Sequence, residues 1–425
     1  MRLKTSFVLM AVVAIALAFA LSAVAAESAK GQVTFTKDVL PILQENCQDC
    51  HRPSGRNMSG MVAPMSFMTY QEVRPWAKAI SKAVSEKIMP PWRASDATHG
   101  VFKNERGLTQ EEIDTIVSWV EQRAPRGNPK DAPEPVSFPE GWYMGEPDLV
   151  ISFPEPFFVP DNAQDLYHNV SFKLTKEQLP EDVWVKSLEF LPGSEAVHHV
   201  IAYAMAEGVD GGPARRSHLG GLAPGTDDAN FPEGYGKLLP ANSTFTFAMH
   251  YHKEAGPGTG QWDNTSVALK FHDMPVTHAI QTRPVAHGNF EIPPNHGHWK
   301  VGGARIFKED TDLLGLMPHT HLRGVQAKFT AYYPDGTSEL LLDVPRYDFN
   351  WQTSYGYKEI KKLPAGTRVE WEIIYDNSPE NAERSGFNSN RAVRFGQPTT
   401  DEMDLGWMSY APSAGNVNAP AAGDE

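Results

Sequence analysis

The chain has 425 residues, a formal net charge of −14 and only two cysteines. The length allows several domains, and the acidic excess argues against a nucleic-acid partner, which would require a basic face. Glycine and proline (34 each) and 10% aromatic residues favour β-sandwich structure.

Residues 1–26 have the features of an export signal. Basic residues at 2 and 4 precede an apolar stretch over residues 7–21, and Ala25 ends a possible small-residue cleavage site. The stretch is short for a membrane-spanning helix, although an uncleaved anchor is the alternative. The sequence therefore predicts an exported protein, either periplasmic or extracellular.

Residues 32–124 are predicted to be helical. Thr109 and Glu112 stand at capping-box spacing. An apolar face follows at i, i+3, i+4 and i+7, formed by Ile113, Ile116, Val117 and Val120. This pattern predicts an amphipathic helix close to the end of the segment.

The run Cys47-Gln48-Asp49-Cys50-His51 is the C-x-x-C-H sequence to which c-type haem is attached. Two thiols on one turn can reach both vinyl groups of one porphyrin, and His51 then supplies an imidazole nitrogen to the iron. A zinc or redox pair of cysteines beside an incidental histidine is the alternative. The sequence predicts one covalent haem c, bound through Cys47 and Cys50 with His51 as an axial ligand.

Met89 is the candidate for the second axial ligand. The prolines that follow it hold the chain extended, and a thioether ligand raises the haem potential. An ordinary core methionine is the alternative. The competing residues nearby are Met58, Met61, Met65, Met68 and His99. This part of the chain resembles small monohaem cytochrome c domains, which implies a small all-α cytochrome c domain over residues 32–124.

A Pro-rich, polar segment at 125–140 is predicted to be a semi-rigid linker. Short alternating segments bounded by turn residues follow it and are typical of strands. Examples are 183–190, 244–249, 327–333 and 368–375. This β-rich part is too long for one small sandwich, so it is divided into domains at 141–280 and 281–411. The tail at 412–425 is predicted to be disordered.

Three histidine groups stand out in the β-rich part. They are His198-His199, His250-Tyr251-His252 and His319-Thr320-His321. His319 and His321 would point to the same face of a strand and could hold one metal. His198 and His199 would point to opposite faces of a regular strand. To share a metal they need a bend, or one must bind through Nδ1 and the other through Nε2. Surface or hydrogen-bonded core histidines are the alternative for each group alone, and three groups together favour a metal.

Two methionines could complete the ligand set of His319 and His321. Imidazole binds zinc, copper, iron and nickel, whereas a thioether selects Cu(I). Met403 and Met408 both lie near the end of the last predicted domain. Either one would make a two-histidine, one-methionine copper site.

Residues 140–410 resemble the copper type II, ascorbate-dependent monooxygenases, the family of peptidylglycine α-hydroxylating monooxygenase and dopamine β-monooxygenase. The resemblance rests on four motifs in the family's order: His198-His199, Met249-His250-Tyr251, His319-Thr320-His321-Leu322-x-Gly324 and Asp401-Glu402-Met403. It implies two jelly-roll-like sandwich domains with one copper each. The implied ligands are His198, His199 and His250 for the electron-transfer copper, and His319, His321 and Met403 for the copper that activates O₂.

Two departures from the family pattern are informative. No cysteine is left for the disulfides of the animal members. The peptide-hydroxylating member has an arginine two residues before its H-T-H motif, where it grips the substrate carboxylate, and this chain has Met317. A peptide C-terminus is therefore not expected as the substrate.

The expected fold class is multidomain, with a small all-α cytochrome c domain followed by two all-β jelly-roll-like sandwich domains. The expected function is hydroxylation of a C–H bond of a small organic molecule by O₂ at two coppers, with electrons supplied through one haem c. The donor would be a redox protein, a quinol-chain component or an ascorbate-like reductant, and no acid–base pair is required. The alternatives are a non-catalytic periplasmic electron-transfer or copper-binding protein and a zinc hydrolase, against which Met403 counts.

Overall fold

The structure is a computed structural model. It describes residues 31–53, 55, 62–139, 141–207, 215–226 and 229–417. The predicted export signal and the last eight residues of the predicted tail lie outside the described residues. Within the described part of the chain, no helix is long and apolar enough to cross a membrane.

The chain divides into a helical unit and a β-rich unit. Of the described residues, the helical unit contains 31–53, 65–90 and 108–136, and the β-rich unit contains 55, 62–64, 91–107, 137–139 and the described residues from 141 to 417.

Four short α-helices form the helical unit. They are α1 Leu40–Asn46, α2 Tyr70–Val73, α3 Ala77–Ser85 and α4 Gln110–Glu121, and a π-helical turn at Phe35–Val39 leads into α1. The predicted capping box of α4 is confirmed: the Glu112 amide donates to Thr109 Oγ1 at 3.3 Å, and the Thr109 amide donates to Glu112 Oε2 at 2.7 Å. The predicted apolar face of α4 packs, with Trp119, against the other helices.

The prediction of a small all-α cytochrome c domain is wrong. Strands make up 39% of the structure and helices only 14%. The α-helices of the helical unit are 4 to 12 residues long, and residues 91–107 pack with the β-rich unit instead. The amphipathic pattern of α4 covers only a few turns, and Pro90 and Pro91 follow α3 closely and disfavour its continuation.

The first half of the β-rich unit is a sandwich of two sheets. Its strands are β1 Leu149–Ser152, β2 Phe157–Val159, β3 Asp165–Lys173, β4 Val183–Leu191, β5 Val197–Ala206, β6 Arg215–Leu222, β7 Ala229–Asn230, β8 Tyr235–Leu239, β9 Thr244–His252, β10 Gln261–Asp263, β11 Ser266–Phe271 and β12 His278–Ala279. One sheet has the order β1-β11-β4-β8-β12, with β7 also on β4, and the other has the order β3-β9-β5-β6. Strands β2 and β10 form a separate pair.

The second half is also built from two main sheets, and here each of them has four strands. Its elements are β13 Gln281–Ala286, β14 Glu291–Ile292, β15 Trp299–Ile306, β16 Thr311–His319, β17 Gly324–Tyr332, β18 Ser338–Val344, β19 Tyr355–Leu363, β20 Arg368–Tyr375, the helix α5 Pro379–Ser385, β21 Val393–Arg394 and β22 Leu405–Pro412. The sheets have the orders β13-β22-β16-β19 and β15-β20-β17-β18, and β14 pairs with β21.

Alternating side chains explain why these segments form sandwiches. Phe245, Phe247 and Met249 on β9 are buried, and the residues between them are partly exposed. On β20 the buried set includes Trp371 and Ile373. Burial of each large apolar side chain stabilises the fold by roughly 1.5–3 kcal/mol. The predicted strand segments 183–190, 244–249 and 368–375 are strands, and 327–333 is a strand up to Tyr332. The two halves are consistent with the predicted β-sandwiches.

Residues 91–107 extend the edge of β19. The Lys103 amide donates to the Gly356 carbonyl at 2.9 Å, and the Lys358 amide donates to the Val101 carbonyl at 3.0 Å. Phe102 is completely buried in the second core, with its ring 5.3 Å from those of Tyr355 and Tyr357. An otherwise open sheet edge is thereby covered.

Candidate metal centre

A bulge in β5 brings His198 and His199 to the same place. Val197 lies opposite Tyr251, and His199 lies opposite the next residue back, His250, so one extra residue is accommodated in β5 at this point. A β-bulge breaks the alternation of a strand. The two adjacent rings therefore lie 4.3 Å apart, centroid to centroid, rather than on opposite faces. Of the two arrangements that would let this adjacent pair share a metal, the strand therefore has the bend.

Asp165 holds the ring of His250 from the neighbouring strand β3. Its Oδ1 accepts from His250 Nε2 at 3.0 Å and from His252 Nδ1 at 2.9 Å. Tyr167 stacks on His250 with a centroid separation of 4.3 Å and parallel planes. Because Nε2 of His250 donates to a carboxylate, its Nδ1 carries the lone pair of the neutral ring. This Nδ1 faces His199 and lies 3.2 Å from His199 Nδ1.

His198, His199 and His250 offer ligand atoms that all lie within 4.8 Å of one another. Burial lowers the pKa of each of the three imidazoles, so all are neutral at pH 7 and have a lone pair available. Both ring nitrogens of His198 are buried and have no hydrogen-bond partner among the residues that the structure describes. A buried polar group without a partner is costly in a folded protein, and a bound metal ion would satisfy the one of these two nitrogens that carries the lone pair.

The second pair of histidines lies at the end of β16. His319 is the last residue of the strand, His321 lies just beyond it, and their ring centroids are 5.5 Å apart. His319 Nδ1 contacts Gln352 Oε1 at 2.7 Å and His321 Nδ1 contacts the Asp401 carbonyl at 3.2 Å. Donation from each Nδ1 leaves each Nε2 free for a metal. Burial lowers the pKa values of His319 and His321 to about 4 and about 3.

Glu402 fixes the loop that carries these two histidines. Its Oε2 accepts from Thr320 Oγ1 at 2.7 Å and from the His321 amide at 2.9 Å, and its Oε1 accepts from the Arg323 amide at 2.7 Å. Glu402 and Arg323 are both completely buried. Burial raises the pKa of Glu402 to about 7, and the three donors and Arg323 act in the opposite direction.

The glycine of the H-T-H-L-x-G motif has a steric role in the same loop. A Cβ at Gly324 would lie 2.0 Å from the side-chain methyl of Thr320. The loop folds back on itself here, with the Gly324 amide donating to the His321 carbonyl at 3.3 Å. No larger residue could occupy this position without displacing Thr320.

Gln352 and Phe349 connect the two histidine groups. The amide nitrogen of Gln352 lies 3.2 Å from His199 Nε2, while its oxygen contacts His319. Phe349 stacks on His198 at 4.7 Å and lies edge-on to His321 at 6.1 Å. The rings of His199 and His319 are 5.4 Å apart. The five predicted histidine ligands therefore form one continuous cluster, in which His198, His250 and His321 are buried and the other two are partly exposed.

The structure distinguishes between the two candidate methionines. Met408 is completely buried in the second core. Met403 lines the same cavity as His199, His250, His319 and His321. Its backbone is fixed by Tyr375, whose hydroxyl donates to the Met403 carbonyl at 2.7 Å. Met317, at the position of the family's arginine, also lines this cavity.

The C-x-x-C-H motif of the helical unit follows α1 directly. The His51 amide donates to the Cys47 carbonyl at 2.9 Å, so the motif forms a tight turn. Neither cysteine is in a disulfide. His51 Nδ1 lies 3.2 Å from the Met65 carbonyl, and the ring stacks on Phe67 at 4.3 Å. Donation from Nδ1 to that carbonyl leaves Nε2 available to iron, the arrangement usual for a metal-binding histidine.

Met89 has a side chain that is 41% exposed, and the Met89–Pro90 peptide bond is cis. Among the competing residues, Met65 packs against the helical core. Met58 and Met61 lie outside the described residues. No contact in the described helical unit joins Met89 to His51, so Met89 as the second axial ligand stays a prediction.

Asp165, Tyr167, Phe349 and Gln352 are site residues that the sequence analysis did not identify. Asp165 and Tyr167 are two residues apart on β3 and therefore lie on the same face of that strand. This spacing of a polar and an aromatic residue was a signal from which the sequence could have indicated them. Phe349 and Gln352 lie in the loop between β18 and β19, for which the sequence shows no periodicity.

Comparisons with known proteins do not assign this chain to a family. No protein-family model and no curated protein matches the sequence. Among solved structures, a chain from the structure of infectious bursal disease virus Gx strain is 11% identical in sequence and has a TM-score of 0.19. The match covers 67% of this chain and 76% of that one. PNGF-II is 10% identical with a TM-score of 0.28, covering 61% and 64% of the two chains. A putative secreted protein from Parabacteroides distasonis is 8% identical with a TM-score of 0.17, covering 62% and 88%.

Proposed function

We propose that this chain is a copper-dependent monooxygenase that hydroxylates a C–H bond of a small organic molecule. The observation that carries the proposal is the convergence of five histidines in one cluster beside a large cavity, namely His198, His199, His250, His319 and His321. Histidines from β5, β9 and β16 meet there although they are far apart in sequence.

The residues of the cluster suit copper. The imidazoles are neutral at pH 7, and neither nitrogen of His198 has a hydrogen-bond partner in the described part of the chain. The thioether of Met403, which lines the same cavity, adds a soft ligand that favours Cu(I) over zinc. We assign His198, His199 and His250 to one copper, and His319, His321 and Met403 to the other.

A covalent haem c is proposed at Cys47, Cys50 and His51. Copper held in the cluster would supply one-electron storage and O₂ activation, and haem would supply electrons one at a time. The overall reaction is R–H plus O₂, two electrons and two protons, giving R–OH and one water. A redox protein, a quinol-chain component or an ascorbate-like molecule is the proposed source of the electrons.

The protein's own side chains hold the ligands in place. Asp165 orients His250, Gln352 orients His319, and Glu402 fixes the loop between His319 and His321. Such partners typically change metal affinity or activity by about 10- to 100-fold when they are removed. The cavity leaves room for a substrate beside the ligands, which a non-catalytic copper-binding protein would not require.

Metal analysis of the purified chain, with optical and EPR spectra, tests the cofactors: one haem c and two type II coppers per chain are expected. The coupling is tested by reducing the haem anaerobically and then adding O₂ with candidate substrates. Haem reoxidation coupled to product supports the proposal. Copper content without O₂ uptake would instead support a non-catalytic electron-transfer or copper-binding protein, and zinc in the cluster would overturn the copper assignment.

A further inference from the structure

The cavity beside the histidine cluster is strongly biased in charge. It has a volume of about 900 Å³ and lies between the two sandwiches of the β-rich unit. Four basic residues line it, namely Lys103, Arg216, Lys237 and Lys358, and the described lining contains no aspartate or glutamate. This is notable in a chain whose net charge is −14. A cavity lined by one sign of charge attracts ligands of the opposite sign.

Lys237 is the buried member of this basic set. It is only 4% exposed, and its Nζ donates to Thr282 Oγ1 at 2.9 Å. Its ammonium also lies 5.6 Å from the centre of the Phe231 ring. A buried ammonium with a neutral hydrogen-bond partner is costly, because charged groups are rarely buried without a counter-charge. Burial alone lowers the pKa of Lys237 to about 7.

Aromatic and apolar side chains also line this cavity. His218 stacks on Trp407 at 5.7 Å and lies edge-on to Tyr203 at 5.3 Å. Leu316 and Phe231 also line the cavity. Apolar walls with one buried charged group are typical of sites that bind an organic ion through both its body and its head group.

The strand register sets the distance from Lys237 to the metal ligands. On β22, Leu405, Trp407 and Ser409 all face the cavity. Leu405 lies opposite His319, and Ser409 lies opposite Thr282, the residue that Lys237 contacts. The four-residue separation along β22 spans about 13 Å. The cavity therefore extends from a cationic end at Lys237 to the histidine cluster.

We infer that the cavity binds an organic carboxylate with an extended apolar body, whose head group is held by Lys237 and whose far end lies toward His319. This inference names the substrate class of the proposed monooxygenase and rests on that function only for the reaction, not for binding. The carboxylate would supply the counter-charge that Lys237 lacks among the described residues.

Calorimetric titration of the purified full-length protein, without added copper, tests the inference. The probes are octanoate, butyrate and octanamide. Octanoate should bind about 10- to 100-fold more tightly than octanamide, the range for a hydrogen bond to a charged group. Affinity should rise roughly fourfold for each methylene between butyrate and octanoate.

Lys237→Met removes the ammonium and keeps an apolar side chain of similar length. It should lower octanoate affinity to that of octanamide and leave octanamide binding within about threefold of the wild type. Lys328→Met is the matched control, because Lys328 pairs with Glu372 and does not line the cavity. It should leave both affinities unchanged.

Equal binding of octanoate and octanamide by the wild type, or a preference for octanoate that survives Lys237→Met, would overturn the inference. The titration requires neither copper nor turnover. A negative result would therefore overturn the carboxylate site and leave the proposed copper chemistry standing. The titration can equally succeed in a protein that proves to be no oxygenase.

Discussion

Substitution of Glu402 by glutamine is the sharpest test of how the second histidine pair is held. Both carboxylate oxygens accept hydrogen bonds from the loop: Oε1 accepts from the Arg323 amide, and Oε2 accepts from Thr320 and from the His321 amide. The side-chain amide of glutamine has one oxygen, so at least one buried backbone N–H would face an NH₂ group. An unsatisfied buried donor costs about 1–3 kcal/mol.

The loss of the charge is the larger cost, and it includes the loss of that hydrogen bond. Glu402 Oε1 lies 4.0 Å from Arg323 Nη1, and both side chains are completely buried. Breaking a buried ion pair by removing one partner costs about 3–5 kcal/mol. We therefore expect Glu402→Gln to lower the free energy of unfolding of the β-rich unit by about 3–5 kcal/mol at pH 8.5. This pH lies above the pKa of about 7 that burial gives Glu402.

Urea denaturation followed by tryptophan fluorescence measures the effect, with the exposed Glu359→Gln as the control. Copper affinity, measured by competition with a chelator, should fall as well, because the loop carries His319 and His321. A Glu402→Gln variant within about 1 kcal/mol of the wild type would refute the reasoning, since that is the scale of an ordinary surface substitution.

Three further outcomes follow from the structure. Asp165→Asn should lower copper affinity about 10- to 100-fold in a chelator competition, and unchanged affinity would show that this carboxylate does not position the histidine ring beside it. The pKa of Lys237 is lowered to about 7, so the unfolded chain binds more protons above that pH. Wild-type stability should therefore rise relative to Lys237→Met between pH 7 and pH 9, by up to about 1.4 kcal/mol per pH unit, and parallel profiles from denaturation at each pH would contradict this. Gly406→Ala should lower stability by about 1–3 kcal/mol, because its Cβ would lie 2.6 Å from the buried Trp371 ring. Gly288→Ala meets no atom within 4 Å and is the control in the same thermal melts.

The local patterns in the sequence predicted much of the β-rich unit. Alternating apolar residues predicted β9 and β20, and the turn residues that bound such segments indicated where strands end. Side-chain alternation has a fixed period, so even a short segment carries the signal. The need for a bend, or for different ring nitrogens, at His198 and His199 also followed from that period, and the bulge in β5 supplies the bend.

The all-α cytochrome c domain was predicted wrongly for a physical reason. The helical period of residues 113–120 was real, but short helices depend on what they pack against more than on their own pattern. Nothing in the sequence of residues 91–107 marks them as belonging to the β-rich unit, because their partners on β19 lie about 250 residues away.

The supporting residues of the metal centre escaped prediction for a related reason. Asp165 is 85 residues from His250, and Gln352 is 153 residues from His199. Ligand histidines are recognisable by residue type and spacing, whereas a residue that orients them is an ordinary aspartate or glutamine. Only the strand register, which depends on the whole sheet, brings such residues to the site.

Phe102 lies in the sequence between two segments of the helical unit but packs in the core of the β-rich unit. This placement decides whether the chain can be expressed as two separate fragments. A fragment beginning at residue 137 would lack the side chain that fills the core beside Tyr355 and Tyr357, a loss comparable to an aromatic-to-alanine change of about 3–5 kcal/mol. A fragment ending at residue 136 would carry that same aromatic ring exposed to water. The helical unit and the β-rich unit therefore cannot be exchanged separately between proteins. A cut within the Pro-rich segment would destabilise the β-rich fragment and expose an aromatic ring on the other fragment.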